Sequence, residues 1–208
     1  MPSGIYRCLY GIEKKIIENK DFLTELDRLI GDADHGINMA RGFSAVTDKL
    51  PPEENDIGKA LKTTGMTLLS KVGGASGPLY ATAFMEVGKI LEGKTEITNP
   101  EDFNLIFNAA IAGIKKRGQA VKGEKTMLDA FIPASETYAK KISEGSNMID
   151  AFEAACASAR EGVEFTKTII ATKGRASYLG DRSIGHQDPG ATSATLILEA
   201  ILEYLKNK

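Results

Sequence analysis

The chain has 208 residues and a formal net charge of -2, from 26 basic and 28 acidic residues. This length suffices for one core, and residues 1–208 are expected to form a single domain. The mixed charge offers no basic stripe for nucleic acid and no polybasic patch for a membrane, so direct binding to either is not expected.

The apolar residues recur mainly at helical spacing. Asn99 followed by Pro100 predicts a helix start, and Thr126 with Asp129 three residues later predicts a weaker one. Apolar stripes then run from about residue 147 to 173 and through a last segment that includes Ala194, Ile197, Leu198, Ile201, Leu202 and Leu205. Strand signals are nearly absent. The sequence therefore predicts an all-α fold of about eight amphipathic helices and no sheet.

Four breaks interrupt these predicted helices. Residues 51–56 contain two prolines and polar side chains, as expected of an ordinary surface connection. Residues 31–36, 73–78 and 174–190 are instead rich in glycine and in specific polar residues. These three breaks are the candidates for function.

The first break brings Asp27, Asp32 and Asp34 within eight residues of one another. Carboxylates this close repel unless a cation lies among them, and oxygen ligands suit Mg2+ or Ca2+. The spacing does not match an EF-hand calcium loop, since the twelfth position counted from Asp32 is Phe43. Mg2+ with a bound phosphate fits better. The alternative is that the aspartates only cap helices at a polar turn.

The second break, residues 73–79, places small residues before an apolar helical segment that begins near Pro78. Such a loop lets backbone N–H groups approach an anion at a helix N-terminus. It is neither a Walker A loop, because no Lys-Ser or Lys-Thr follows the glycines, nor a dinucleotide fingerprint. A tight turn between helices is the alternative.

The third break, residues 174–190, is long for a loop inside a helical domain, which is typical of a functional segment. Arg175 and Arg182 can donate charge-assisted hydrogen bonds to phosphate, although each can equally form an exposed ion pair. The two histidines, His35 and His186, both lie in these breaks. A capping or loop-closing hydrogen bond is the alternative role for each.

Other kinds of site are not supported. Cys8 and Cys156 form no CxxC pair, so neither a disulfide framework nor a zinc site is expected. No GxSxG motif indicates a serine hydrolase. A signal peptide and a run of about 18 apolar residues are also absent, and the cytoplasm is the expected compartment.

Taken together, the motifs resemble the family of nucleotide-binding L subunits of bacterial dihydroxyacetone kinases. The resemblance rests on Asp27-(x4)-Asp32-Ala-Asp34-His35-Gly36-x-Asn38, on residues 73–79, on residues 174–180 and on residues 186–193, and covers essentially the whole chain. It implies an antiparallel barrel of about eight helices with a nucleotide and Mg2+ pocket at one end.

The resemblance also implies roles for individual residues. Asp27, Asp32 and Asp34 would bind two Mg2+ ions that bridge the nucleotide phosphates. The residues that it assigns to the nucleotide site are His35, Gly36, Asn38, Ser76, Gly77, Gly118, Met127, Arg175, Asp188, Pro189 and Gly190.

Family members of this length usually work in a phosphoenolpyruvate-dependent system. Tightly bound ADP there accepts a phosphoryl group from a phosphohistidine on an M subunit and passes it to dihydroxyacetone on a K subunit. Because the K subunit holds the ketone through a histidine, and both histidines here lie in nucleotide motifs, this chain is not expected to bind the ketone alone. No phosphorylated intermediate on this chain is expected.

Two alternatives remain open. One is an ATP-dependent kinase subunit that exchanges ADP for ATP in each turnover. In the family such a domain is usually fused to the ketone-binding half, and the last predicted helix ending near Lys208 favours a separate subunit. The other is a nucleotide-loaded co-regulator that binds a transcription factor, although the retained aspartates indicate catalysis.

Overall fold

Side-chain caps set where several helices begin. Ser3, Asp56, Asn147 and Asp188 each accept a hydrogen bond from the backbone N–H three residues later, at the first turn of their helices.

The structure, a computed structural model, describes residues 1–208 and contains α-helices and one 3-10 helix, with no strand. The α-helices are α1 (Gly4–Glu18), α2 (Lys20–Ile30), α3 (His35–Lys49), α4 (Ile57–Lys71), α5 (Ser76–Ile90), α6 (Glu101–Gly118), α7 (Leu128–Ser143), α8 (Met148–Thr166) and α9 (Pro189–Lys206), and the 3-10 helix is Arg175–Ser183.

The two helix starts expected from sequence each lie one residue after the predicted position. The Asn99 side chain accepts the N–H of Glu101, the first residue of α6, at 3.0 Å. Before α7, the Asp129 carboxylate accepts the Thr126 N–H at 2.8 Å, and the Thr126 hydroxyl accepts the Leu128 N–H at 3.2 Å. Both side chains thus bind backbone N–H groups around the first turn of α7, an arrangement similar to a capping box.

One predicted boundary is wrong, and one helical stretch is divided. The helical stripe expected to run to about residue 173 ends at Thr166, whose carbonyl accepts a hydrogen bond from the Lys125 ammonium. The first helical stretch is divided at Asn19, whose backbone leaves the helical region and whose side chain donates to the Lys15 carbonyl at 2.8 Å. The number of α-helices is therefore nine rather than about eight.

Eight of these helices close into a barrel. Packing neighbours follow the order α1, α3, α4, α5, α6, α7, α8, α9, and α9 packs back against α1. The extra helix, α2, packs against α3, α9 and the 3-10 helix. This arrangement confirms the predicted all-α barrel of amphipathic helices.

The barrel helices share one core. Their buried apolar side chains form a single cluster of 43 residues. Four aromatic rings pack edge to face or stacked within it, with centroid distances of 5.0–5.9 Å, and belong to Phe103, Phe107, Tyr138 and Phe152. No helix has both the length and the apolar character needed to cross a membrane.

Candidate functional site

One end of the barrel encloses a cavity of about 490 Å³. The residues that directly precede α3, α5, α7 and α9 all line it: Asp34, Ala75, Met127 and Asp188. Each helix N-terminus carries a partial positive charge and unpaired N–H groups. Four such termini around one cavity favour an anionic ligand.

The predicted carboxylate cluster lies at this cavity. Oxygens of Asp27, Asp32 and Asp34 lie within 4.8 Å of one another. Asp27 is buried in the last turn of α2, and one of its oxygens accepts the N–H groups of Asp34 at 2.9 Å and His35 at 3.1 Å. Asp27 therefore fixes the turn as well as supplying charge. A set of carboxylate oxygens with no nitrogen or sulfur donor fits Mg2+.

Arg175 connects the third break to the first. Its guanidinium lies 2.8 Å from the Asp32 carboxylate, and both side chains are substantially exposed to solvent. Because an exposed ion pair adds little to stability, the pair matters here mainly for where it places the guanidinium, which also lines the cavity.

His35 connects three helices beneath the cavity. One ring nitrogen lies 3.1 Å from the Ser76 hydroxyl at the start of α5, and the other lies 2.9 Å from the Ser193 hydroxyl in α9. The Tyr80 hydroxyl lies 2.7 Å from the same Ser193 oxygen. Burial lowers the pKa of His35, against the opposing effect of Asp27 and the neighbouring carboxylate. A neutral imidazole with both nitrogens engaged acts here as a support for the site.

The second break supplies free backbone donors. α5 begins at Ser76 without a side-chain cap, and the N–H groups of Ser76 and Gly77 have no acceptor within the protein. Gly74 has a φ of +66°, a left-handed conformation that glycine adopts without strain. The loop thus leaves donors available to a phosphate.

The other side of the cavity is apolar. Leu79, Ile114, Ala120 and Met127 line it, as does Gly118. A Cβ atom on Gly118 would lie 2.9 Å from a Leu79 methyl group, so the glycine keeps this wall open. An apolar wall of this kind suits the flat face of a nucleobase.

Asp188 and Lys125 close the floor of the cavity. Asp188 is buried as the N-cap of α9, where its carboxylate accepts the Ala191 N–H at 2.6 Å. Burial raises the pKa of Asp188 to about 7, against the lowering effects of the Ala191 hydrogen bond and of the nearby Lys125. Burial in turn lowers the pKa of Lys125.

The raised pKa of Asp188 predicts how stability depends on pH. A folded-state pKa above the unfolded value means that the wild type loses stability as pH rises from about 4 through 7. Asp188→Asn keeps the helix cap and removes the titration. In EDTA, we therefore expect a melting temperature several degrees above wild type at pH 8 and a much smaller difference at pH 4.5, where the folded carboxyl is still protonated. An equal shift at both pH values would contradict the assignment.

Most of the predicted site residues line this one cavity, and two do not. A Cβ on Gly36 would lie 2.0 Å from the Lys20 carbonyl, and a Cβ on Gly77 would lie 2.2 Å from the Val72 carbonyl, so both glycines allow close backbone packing. The others line it: Asp27, Asp32, Asp34, His35, Asn38, Ser76, Gly118, Met127, Arg175, Asp188, Pro189 and Gly190.

Arg182 and His186 do not line the cavity, whereas three cations that sequence analysis did not identify do. Arg117 and Lys173 resemble ordinary surface charges in the sequence. Lys125 lies beside the predicted helix start at Thr126, the single local signal that could have drawn attention to it.

Comparison with known proteins identifies the family. Residues 29–203 match the DAK2 domain. The PEP-dependent dihydroxyacetone kinase, ADP-binding subunit DhaL, of Escherichia coli is 47% identical over 182 residues, which are 87% of this chain and 86% of that protein. The ADP-binding subunit DhaL of PEP-dependent dihydroxyacetone kinase 1 from Listeria innocua is 45% identical over 202 residues, 95% of this chain and 93% of that protein.

A solved structure supports the fold. The crystal structure of the dihydroxyacetone kinase from C. freundii in complex with AMP-PNP and Mg2+ superposes with a TM-score of 0.71 at 24% identity. The match covers 98% of this chain and 34% of that one, so this chain spans about a third of the larger kinase. The family match, the two relatives and the shared fold establish that the chain belongs to the DAK2 domain family, as its motifs predicted.

Proposed function

We propose that this chain is the ADP-binding subunit of a phosphoenolpyruvate-dependent dihydroxyacetone kinase. The observation that carries the proposal is the cavity in which a carboxylate cluster faces the uncapped start of α5. Such a cavity suits a nucleoside diphosphate with its metal ions. The two relatives named as ADP-binding subunits match over most of their own length, which favours the same role here.

Each part of the cavity has a function in this proposal. Asp27, Asp32 and Asp34 hold two Mg2+ ions, and the free N–H group of Ser76 would donate to the phosphates. When bound, ADP supplies the phosphate that receives and donates the phosphoryl group, and Mg2+ neutralises its charge. The apolar wall receives the adenine. The protein positions the nucleotide phosphates and helps to neutralise their charge. None of its own side chains takes part in a covalent step.

Partner subunits complete the proposed reaction. His35 is buried with both nitrogens engaged, and His186 does not line the cavity, so no histidine of this chain is placed to hold a ketone there. A K subunit would hold dihydroxyacetone and an M subunit would deliver the phosphoryl group from its phosphohistidine. Tight retention of ADP between turnovers fits this arrangement, and we place the single-domain protein in the cytoplasm.

The nucleotide content of the purified protein tests this proposal. The protein is purified without added nucleotide, passed through gel filtration, denatured and analysed by chromatography. Near-stoichiometric ADP is expected. A protein that elutes empty and exchanges ATP freely would favour the ATP-dependent kinase, and one that binds neither nucleotide with Mg2+ would overturn the proposal.

Arg175→Ala is expected to weaken ADP retention. Loss of its charge-assisted hydrogen bonds should cost about 1.5–3 kcal/mol of binding free energy, without loss of helicity, because the side chain is 65% exposed. Calorimetric titration with ADP and Mg2+ measures the effect. The matched control is Arg182→Ala, an exposed arginine of the same 3-10 helix that does not line the cavity. Equal ADP affinity in the two variants would contradict a role for Arg175.

A further inference from the structure

Lys125 is a buried lysine whose ammonium group contacts backbone carbonyls rather than a carboxylate. Its side chain is among the largest that are fully buried, with the residue 2% exposed. The ammonium donates to the carbonyls of Thr166 at 2.6 Å, Ser183 at 2.8 Å and His186 at 2.5 Å. These three close acceptors match the three donors of an ammonium group, and the Ile169 carbonyl lies farther away at 3.5 Å.

The three carbonyls bracket one segment of the chain. Thr166 is the last residue of α8, and His186 lies two residues before Asp188, the N-cap of α9. Residues 167–187 between them form the segment that carries Arg175 to the cavity, and Ser183 ends the 3-10 helix within it. Lys125 itself lies three residues before α7, so a single ammonium joins both ends of this segment to the connection that enters that helix.

Apolar packing holds the segment only weakly, and its other polar contacts with the rest of the chain are few, such as those of Thr172 with Glu124 and of Arg175 with Asp32. Its buried apolar contacts amount to a cluster of three residues, Ile30, Ala171 and Ala176, which is separate from the 43-residue core of the barrel. Tyr178 is 86% exposed. Since hydrophobic burial contributes so little here, hydrogen bonds to a charged donor, which are stronger than neutral ones, carry much of the positioning.

We propose that Lys125 is a positioning residue for the nucleotide site, acting through residues 167–187. Its ammonium holds the segment in the shape that places Arg175 over the carboxylate cluster and Asp188 at the start of α9. Without that donor, three inward-facing carbonyls lose their partner, and the segment must open to reach water. The proposal rests on the proposed function only for its nucleotide readout.

Hydrogen exchange of Lys125→Met tests the positioning without any ligand. The variant keeps the length of the side chain and removes the donors. Amide exchange in residues 167–187 is expected to rise by about tenfold or more, with exchange in the barrel helices unchanged. The control is Lys122→Met, since Lys122 is exposed on the same connection. Unchanged exchange in the segment would overturn the proposal. So would a general rise across the barrel or a failure to fold, since either means that the lysine supports the whole fold.

Rescue by a free amine tests the link to the nucleotide. Lys125→Ala is expected to bind ADP and Mg2+ about tenfold or more weakly than wild type, and propylammonium should restore most of that affinity because it supplies the missing ammonium. Propanol, with a similar shape and no charge, should not. Unchanged affinity, or equal rescue by propanol, would overturn the proposal. Failure of the wild type to bind ADP would count against the proposed function alone, since the exchange experiment still tests Lys125.

Discussion

Replacing Asp32 with alanine is expected to lower phosphoryl transfer to dihydroxyacetone by about 100-fold or more while leaving the barrel folded. The Asp32 side chain is 36% exposed, and its one recorded partner is the exposed Arg175 guanidinium. Removing it also relieves repulsion from Asp27 and Asp34. The unfolding free energy should therefore change by no more than about 1 kcal/mol, whereas the metal loses one of three carboxylate ligands.

The measurement combines transfer assays, made with partner subunits supplied in excess, with thermal melting followed by circular dichroism. Asp21→Ala is the matched control, because Asp21 lies on the same α2 helix with its side chain 97% exposed and only a 3.6 Å contact to Lys20. It should behave as wild type. Full activity in Asp32→Ala would contradict a metal role for the cluster, and loss of helicity at room temperature would show that the cluster is structural.

The sequence predicted the fold where local chemistry decides it. Caps such as Asn99 and the Thr126–Asp129 pair are local hydrogen bonds, and both mark helix starts in the structure. The end of α8 was missed, and the partner of its last carbonyl is distant in sequence: Thr166 accepts a hydrogen bond from Lys125, 41 residues earlier. Helical periodicity cannot report a contact of that kind.

The same distinction applies to the candidate site. Asp27, Asp32 and Asp34 were found because a cluster within one turn is visible in the sequence. The contact between His35 and Ser193 joins residues 158 positions apart, and local spacing in the sequence cannot predict it. Lys125 was missed for a related reason, since burial converts an ordinary lysine into a donor for three carbonyls only after the barrel has closed.

Gly36→Ala is expected to produce the largest loss of stability among these variants, although the residue belongs to a nucleotide motif. The added Cβ would lie 2.0 Å from the Lys20 carbonyl and 2.8 Å from the Thr24 backbone nitrogen. Because these are backbone atoms, α2 and α3 must separate, at a cost of about 2–4 kcal/mol. Separation also moves Asp27 on α2 away from Asp34 before α3, so Mg2+ affinity should fall together with stability.

Gly11→Ala separates this packing effect from the general effect of alanine in a helix. Gly11 lies inside α1, and a Cβ there would meet no atom within 4 Å. The unfolding free energy should therefore rise by about 0.5–1 kcal/mol, as helix propensity requires. Urea unfolding measures the expected fall in unfolding free energy for Gly36→Ala and the expected rise for Gly11→Ala. A Gly36→Ala protein as stable as wild type that still failed to bind ADP would mean that the glycine serves the nucleotide directly. Joint loss of stability and metal affinity would instead show that it acts by holding two helices, and so two carboxylates, together.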